Sequence, residues 1–239
     1  MPTSPTRFGW KWYALAGVFG GLFGLVGSQV MQPTTLVELD RAVASRLHDV
    51  ALHSPGLTAA YRLVTELGRT RTLAGVGLVT AAVMWRWRQR AGALIWLFAL
   101  IGGSLLLEIM KDAWQRPRPQ FVDPIVVEQT YSFPSGHAFG AMVVYGLLAY
   151  LATRWLPARR QRGAAVVGLA VLIAIIGFSR VYLGVHWLSD VLGGLAAGLA
   201  WVAVCIGLME SFLRRPPYPA GGMSAPADAP PSMDPTAKG

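Results

Sequence analysis

The stretch AGALIWLFALIGGSLLLEIM, residues 91–110, decides the fold. It holds a single ionisable side chain, Glu108, and as a helix it spans about 30 Å, the thickness of a bilayer's hydrocarbon core. Residues 12–37, 137–153, 163–179 and 191–209 contain no Asp, Glu, Lys or Arg at all. A shorter run, 72–85, leads into Trp85-Arg86-Trp87-Arg88, an aromatic and basic anchor suited to a lipid interface. One such run fits a buried helix of a water-soluble protein, but five do not. The expected architecture is therefore all-α: a bundle of six transmembrane helices, about 12–35, 72–87, 91–110, 137–156, 163–181 and 190–212, forming one domain over 1–213. The first run is too long for a signal peptide and no A-x-A site follows it, so it reads as a retained anchor.

Composition points the same way. Of 239 residues 54% are apolar and 14% charged, with mean hydropathy +0.45, against about 25% charged in an average soluble domain. Disorder, collagen and a secreted disulfide scaffold are excluded, and the single cysteine, Cys205, allows neither an intrachain disulfide nor a cysteine-built zinc site. The net charge of +9 is explained by topology. With the N-terminus cytoplasmic, twelve of the 21 basic residues fall in inner segments, among them Arg86, Arg88, Arg90, Arg154, Arg159, Arg160 and Arg162. The nine on the outer side are matched by nine acids, so the whole excess lies inside, as the positive-inside rule requires. The excess also attracts anionic lipid and calls for no nucleic-acid partner. Both termini are expected in the cytoplasm of a multi-pass cell-membrane protein.

Between the first two spans, Leu36, Leu39, Val43, Leu47 and Val50 recur at steps of three and four. They predict an amphipathic helix, lying in the interface or packed on the bundle. Residues 214–239 are rich in proline and small residues and are expected to be a disordered cytoplasmic tail.

Polar residues cluster at three span ends, all on the outer side: Lys111 to Pro119 after the third span, Ser132 to His137 opening the fourth, and Ser179 to Asp190 joining the fifth and sixth. Ionisable groups at such depths are costly and mark function. Lys111, Arg118 and Arg180 are three cations suited to a tetrahedral oxyanion. Ser135 and Gly136 precede a helix start, where free N–H groups and the dipole favour an anion. His186 and Asp190 are four apart, so on a helix they share a face. A carboxylate accepting from one imidazole nitrogen leaves the other as a nucleophile. His137 is then a second imidazole free to act as an acid. Arg180 and Asp190 could alternatively pair with each other, and Glu108, one turn before Lys111, could support it. Gly193, Gly194 and Gly198 suggest close helix packing in the sixth span.

These residues form the patterns K-x6-R-P (Lys111, Arg118, Pro119), P-S-G-H (Pro134 to His137) and S-R-x5-H-x3-D (Ser179, Arg180, His186, Asp190). Together they resemble the three-part signature of the type 2 phosphatidic acid phosphatases, a superfamily that includes the vanadium haloperoxidases. The resemblance implies His186 as a nucleophile forming a phosphohistidine, Asp190 as its orienting group and His137 as the acid that protonates the leaving alkoxide. It implies Lys111, Arg118, Ser135, Gly136 and Arg180 as phosphate binders, no metal or other cofactor, and an active site facing the periplasm or outer leaflet. The expected activity is removal of a terminal phosphate from phosphatidic acid, phosphatidylglycerol phosphate or undecaprenyl pyrophosphate. A vanadate-dependent haloperoxidase and a non-catalytic lipid-phosphate binder or transporter are the alternatives.

Overall fold

The computed structural model describes residues 9–213, so the expected tail, 214–239, lies outside the described residues. Those described fold into eight α-helices without strands: α1 (Trp10–Gln29), α2 (Thr35–His53), α3 (Pro55–Glu66), α4 (Thr70–Arg86), α5 (Arg90–Trp114), α6 (Gly136–Trp155), α7 (Arg159–Tyr182) and α8 (Leu188–Leu213). Four of them, α5 to α8, are long and apolar enough to cross a membrane. The expected six spans are therefore an approximate count, with α1 and the 17-residue α4 packed beside these four.

Two local expectations are corrected and one helix appears that was not expected. The first helix stops at Gln29 instead of running to about residue 35, because Pro33 cannot continue it; Thr34 Oγ1 donates back to the Gln29 carbonyl at 3.2 Å. A second short helix, α3, begins at Pro55, where proline's fixed φ suits the first helical position. The amphipathic helix α2 is present, but its buried stripe is Asp40, Ala44, His48 and Ala51, while Leu39 and Val50 stay exposed. Polar partners for Asp40 inside the protein rotate the helix away from its purely apolar register.

Helix α8 is the hub, packed against α1, α5 and α6, while α7 packs mainly on α6 and also touches α8 where Gly177 meets Val191. Small residues permit this approach, as the sequence suggested. A Cβ at Gly194 would lie 2.7 Å from the Ser135 carbonyl oxygen, and one at Gly198 would lie 2.8 Å from Met142. The glycines thus seat the start of α6 directly on α8. Three buried or half-buried indoles bond across helices: Trp96 to the Gly77 carbonyl, Trp114 to Gly27 and Trp201 to Ala99, each at 2.9 Å. In a membrane such bonds satisfy groups that lipid cannot.

Candidate active site

The C-terminal ends of α5 and α7 and the N-terminal ends of α6 and α8 meet at one end of the bundle, together with α2 and α3. All eight residues expected from the sequence are gathered there. Helix α5 ends where Gln115 takes φ 44°, and Pro117 and Pro119 keep the following segment from resuming a helix. The backbone of Ser132 bonds to the Arg116 carbonyl at 2.8 Å, and Ser135 N–H donates to the Asp190 carbonyl at 3.0 Å. These two bonds join the three clusters into one site.

His186 is buried in the turn between α7 and α8. Its Nδ1 lies 3.3 Å from Asp190 Oδ2, and Arg118 Nη1 lies 3.2 Å from its Nε2. A guanidinium can only donate, so Nε2 is the unprotonated nitrogen and Nδ1 carries the hydrogen. The lone pair therefore points at the cationic clamp. Burial, followed by the charges of Arg118, Arg180 and Lys111, holds the His186 pKa well below 6.5. The imidazole is neutral at physiological pH, as a nucleophile must be.

Asp190 is fixed from several directions: it accepts from Arg116 Nη1 at 2.6 Å, from the Trp187 N–H at 2.8 Å and from the Ser132 hydroxyl. Arg118 reaches the Thr130 carbonyl at 2.6 Å and the Val185 carbonyl at 2.7 Å. Lys111 donates to the Tyr131 carbonyl at 2.5 Å, and its hydrogen bonds run to this loop and not back to Glu108. Arg180 bonds Thr65 Oγ1 at 3.0 Å and Glu128 Oε1 at 2.7 Å. The alternative pairing of Arg180 with Asp190 is therefore not adopted, because Asp190 is claimed by Arg116.

Buried side-chain polar atoms without a partner, among the described residues, include Ser135 Oγ, His137 Nε2 and Arg180 Nε. Buried polar groups are nearly always paired. Ser135 and Arg180 are residues that the resemblance assigns to phosphate, and His137 is the one it assigns as the acid; a phosphoryl group and the ester oxygen it carries would satisfy these atoms.

Three groups were missed from the sequence: Arg116, Asp40 and Ser132. Arg116 falls among the variable positions of K-x6-R-P, and the only sequence signal was a second arginine beside a proline. Asp40 lies on a different helix, 150 residues away from Asp190. Beside the site, an apolar groove of about 440 Å³ between α4, α5 and α6 starts at Gly136 and continues past Leu107, Gly140, Leu100 and Leu73.

Known proteins resemble this chain in sequence and in overall fold. The PAP2 superfamily model matches residues 92–214. Phosphatidylglycerophosphatase B of Bacillus subtilis (strain 168) is 32% identical over 81% of this chain and 94% of its own. Putative undecaprenyl-diphosphatase YbjG of Escherichia coli (strain K12) is 36% identical over 50% of this chain and 59% of its own. The crystal structure of a transmembrane PAP2 type phosphatidylglycerolphosphate phosphatase from Bacillus subtilis superposes with TM-score 0.76 at 29% identity, covering 84% of this chain and 98% of that one.

Proposed function

This chain belongs to the PAP2 superfamily, and from that premise we propose that it removes the terminal phosphate of a membrane lipid through attack of His186 on phosphorus. It is a multi-pass membrane lipid phosphatase, a phosphoric ester hydrolase. The observation that supports the residue roles is that Ser135 Oγ, His137 Nε2 and Arg180 Nε are buried without partners while Asp190 holds His186 Nδ1 and leaves Nε2 to the cations.

In the proposed reaction, Lys111, Arg118, Arg180, Ser135 and the N–H groups at Gly136 hold the phosphoryl oxygens. The cations supply the charge stabilisation that a divalent metal gives in other phosphatases. The Nε2 lone pair of His186 forms the N–P bond as the bond to the lipid oxygen breaks. His137, whose proton is favoured by the incoming phosphate's negative charge, protonates that oxygen. Asp190 stabilises the cationic imidazole. Water, deprotonated by His137, then attacks phosphorus, inorganic phosphate leaves and the Nε2 lone pair is restored.

Phosphatidylglycerol phosphate is the favoured substrate, since the relative named for phosphatidylglycerophosphate hydrolysis matches nearly end to end. The groove beginning at Gly136 suits an acyl chain. The charge distribution supports a site facing the periplasm or outer leaflet, with both termini cytoplasmic.

The test is phosphate release from phosphatidylglycerol phosphate, phosphatidic acid and undecaprenyl diphosphate in detergent, with and without a chelator. Wild type should turn over with the chelator present, and vanadate should inhibit by occupying the clamp. His186→Ala should lose about 10³-fold or more, and acid-labile phosphoprotein should be trapped from wild type alone. Near-wild-type activity in His186→Ala would remove the nucleophile assignment.

A further inference from the structure

Arg116 touches no part of the phosphate clamp except through Asp190, yet it is 4% exposed and both terminal nitrogens of its guanidinium are hydrogen-bonded. Its Nη1 donates to Asp190 Oδ1 at 2.6 Å and Ser189 Oγ at 2.8 Å, and its Nη2 donates to Asp40 Oδ2 at 2.8 Å. Asp40, fully buried on α2, also accepts the Ser189 N–H at 2.8 Å and the Ser189 hydroxyl. The ring of Trp187 covers the guanidinium, 5.6 Å from centroid to carbon. A continuous series of contacts therefore runs from His186 Nδ1 through Asp190 and Arg116 to Asp40.

Resting on the lipid phosphatase reading, we infer that Asp40 and Arg116 are positioning residues for the histidine nucleophile, Asp40 acting from α2 to preserve the negative charge that Asp190 presents to His186. When Nε2 attacks phosphorus the imidazole becomes cationic, and the carboxylate behind it must be ionised and correctly aimed. Arg116 favours the charged form of the buried Asp190, but a guanidinium at 2.6 Å also cancels much of that carboxylate's field. Asp40 on the opposite side of the guanidinium makes the buried trio net negative. An ion pair that only tied the loop to α8 would need one carboxylate, and burying a second is costly unless it has a further use. The same contacts pin Ser189 at the start of α8, so the helix bearing Asp190 is fixed relative to His186. This gives the amphipathic helix a role inside the site.

The test uses full-length protein in detergent with a short-chain lipid phosphate. Asp40→Asn keeps the shape and removes the charge. Its kcat should fall about 10- to 100-fold, as for outer partners of other carboxylate–histidine pairs. KM should stay within about twofold, because Lys111, Arg118 and Arg180 are untouched, and quenched-flow formation of phosphoenzyme should slow in the same proportion. Arg116→Lys keeps the charge but loses the fork that bridges two carboxylates. Its kcat should fall likewise, again with KM unchanged. Wild-type kcat in both variants, or a loss confined to KM, overturns the inference. So does a loss in both that only follows a collapse of thermal stability, since that assigns the pair to folding. Absence of turnover by wild type on every lipid phosphate would instead sink the underlying functional reading.

Discussion

Arg180 of the proposed phosphate clamp is held by the carboxylate of Glu128, 2.7 Å from Nη2 to Oε1. The arginine side chain is 3% exposed and the glutamate 35%, so the acid lies nearer the surface than the cation it holds. Glu128 also contributes attraction to Arg118. One carboxylate thus lies where an incoming dianion must compete.

Removing that competitor should tighten substrate binding. A partly exposed pair is worth up to about 1 kcal/mol, or about fivefold. Glu128→Gln is expected to lower KM, and the inhibition constant for inorganic phosphate, by about that factor. An unchanged or raised phosphate inhibition constant would show that the carboxylate supports Arg180 instead of competing for it.

The two histidines should separate by leaving group. A glycerolipid alkoxide leaves poorly without a proton, while nitrophenolate needs little help. His137→Ala should cost about 10²- to 10⁴-fold in single-turnover phosphorylation by a lipid phosphate, and much less by nitrophenyl phosphate. His186→Ala should be severe with both. Equal losses for His137→Ala on the two esters would make it a phosphate-positioning group.

Burial and neighbouring cations depress the His186 pKa below its ordinary 6.5, which links stability to pH. Above 6.5 the side chain is neutral whether folded or unfolded, and nothing is lost. As pH falls below 6.5 the unfolded chain takes up a proton that the folded protein refuses, so stability drops. The melting temperature of wild type relative to His186→Gln should therefore be lower at pH 5 than at pH 7.5. A difference independent of pH would contradict a neutral buried imidazole.

Topology can be read by thiol labelling in a background where the buried Cys205 is replaced. Gln129→Cys, in the loop between α5 and α6, should react with an impermeant reagent added from outside. Gln161→Cys, among Arg159, Arg160 and Arg162, should stay protected. The reverse pattern would put the active site in the cytoplasm.

The sequence by itself determined the membrane character and the helical class, and it named the eight residues that the structure gathers at the candidate site. These are readable because bilayer thickness sets the length of an apolar run and because short-range spacing puts His186 and Asp190 one turn apart. Where a proline punctuates the chain, local rules also explain afterwards why α1 ends at Gln29 and why α3 starts at Pro55. The partners of the charged groups were decided only by tertiary structure. Arg180 could have paired with Asp190, but Arg116 lies closer and takes that carboxylate, leaving Arg180 to Glu128. Asp40 read as one polar residue on an amphipathic helix, until folding turned α2 to bury it against Arg116 and Ser189. A buried charge takes whichever opposite charge the packed helices bring close, and that proximity depends on how α2, α5, α7 and α8 meet at one end of the bundle, across separations no local pattern records.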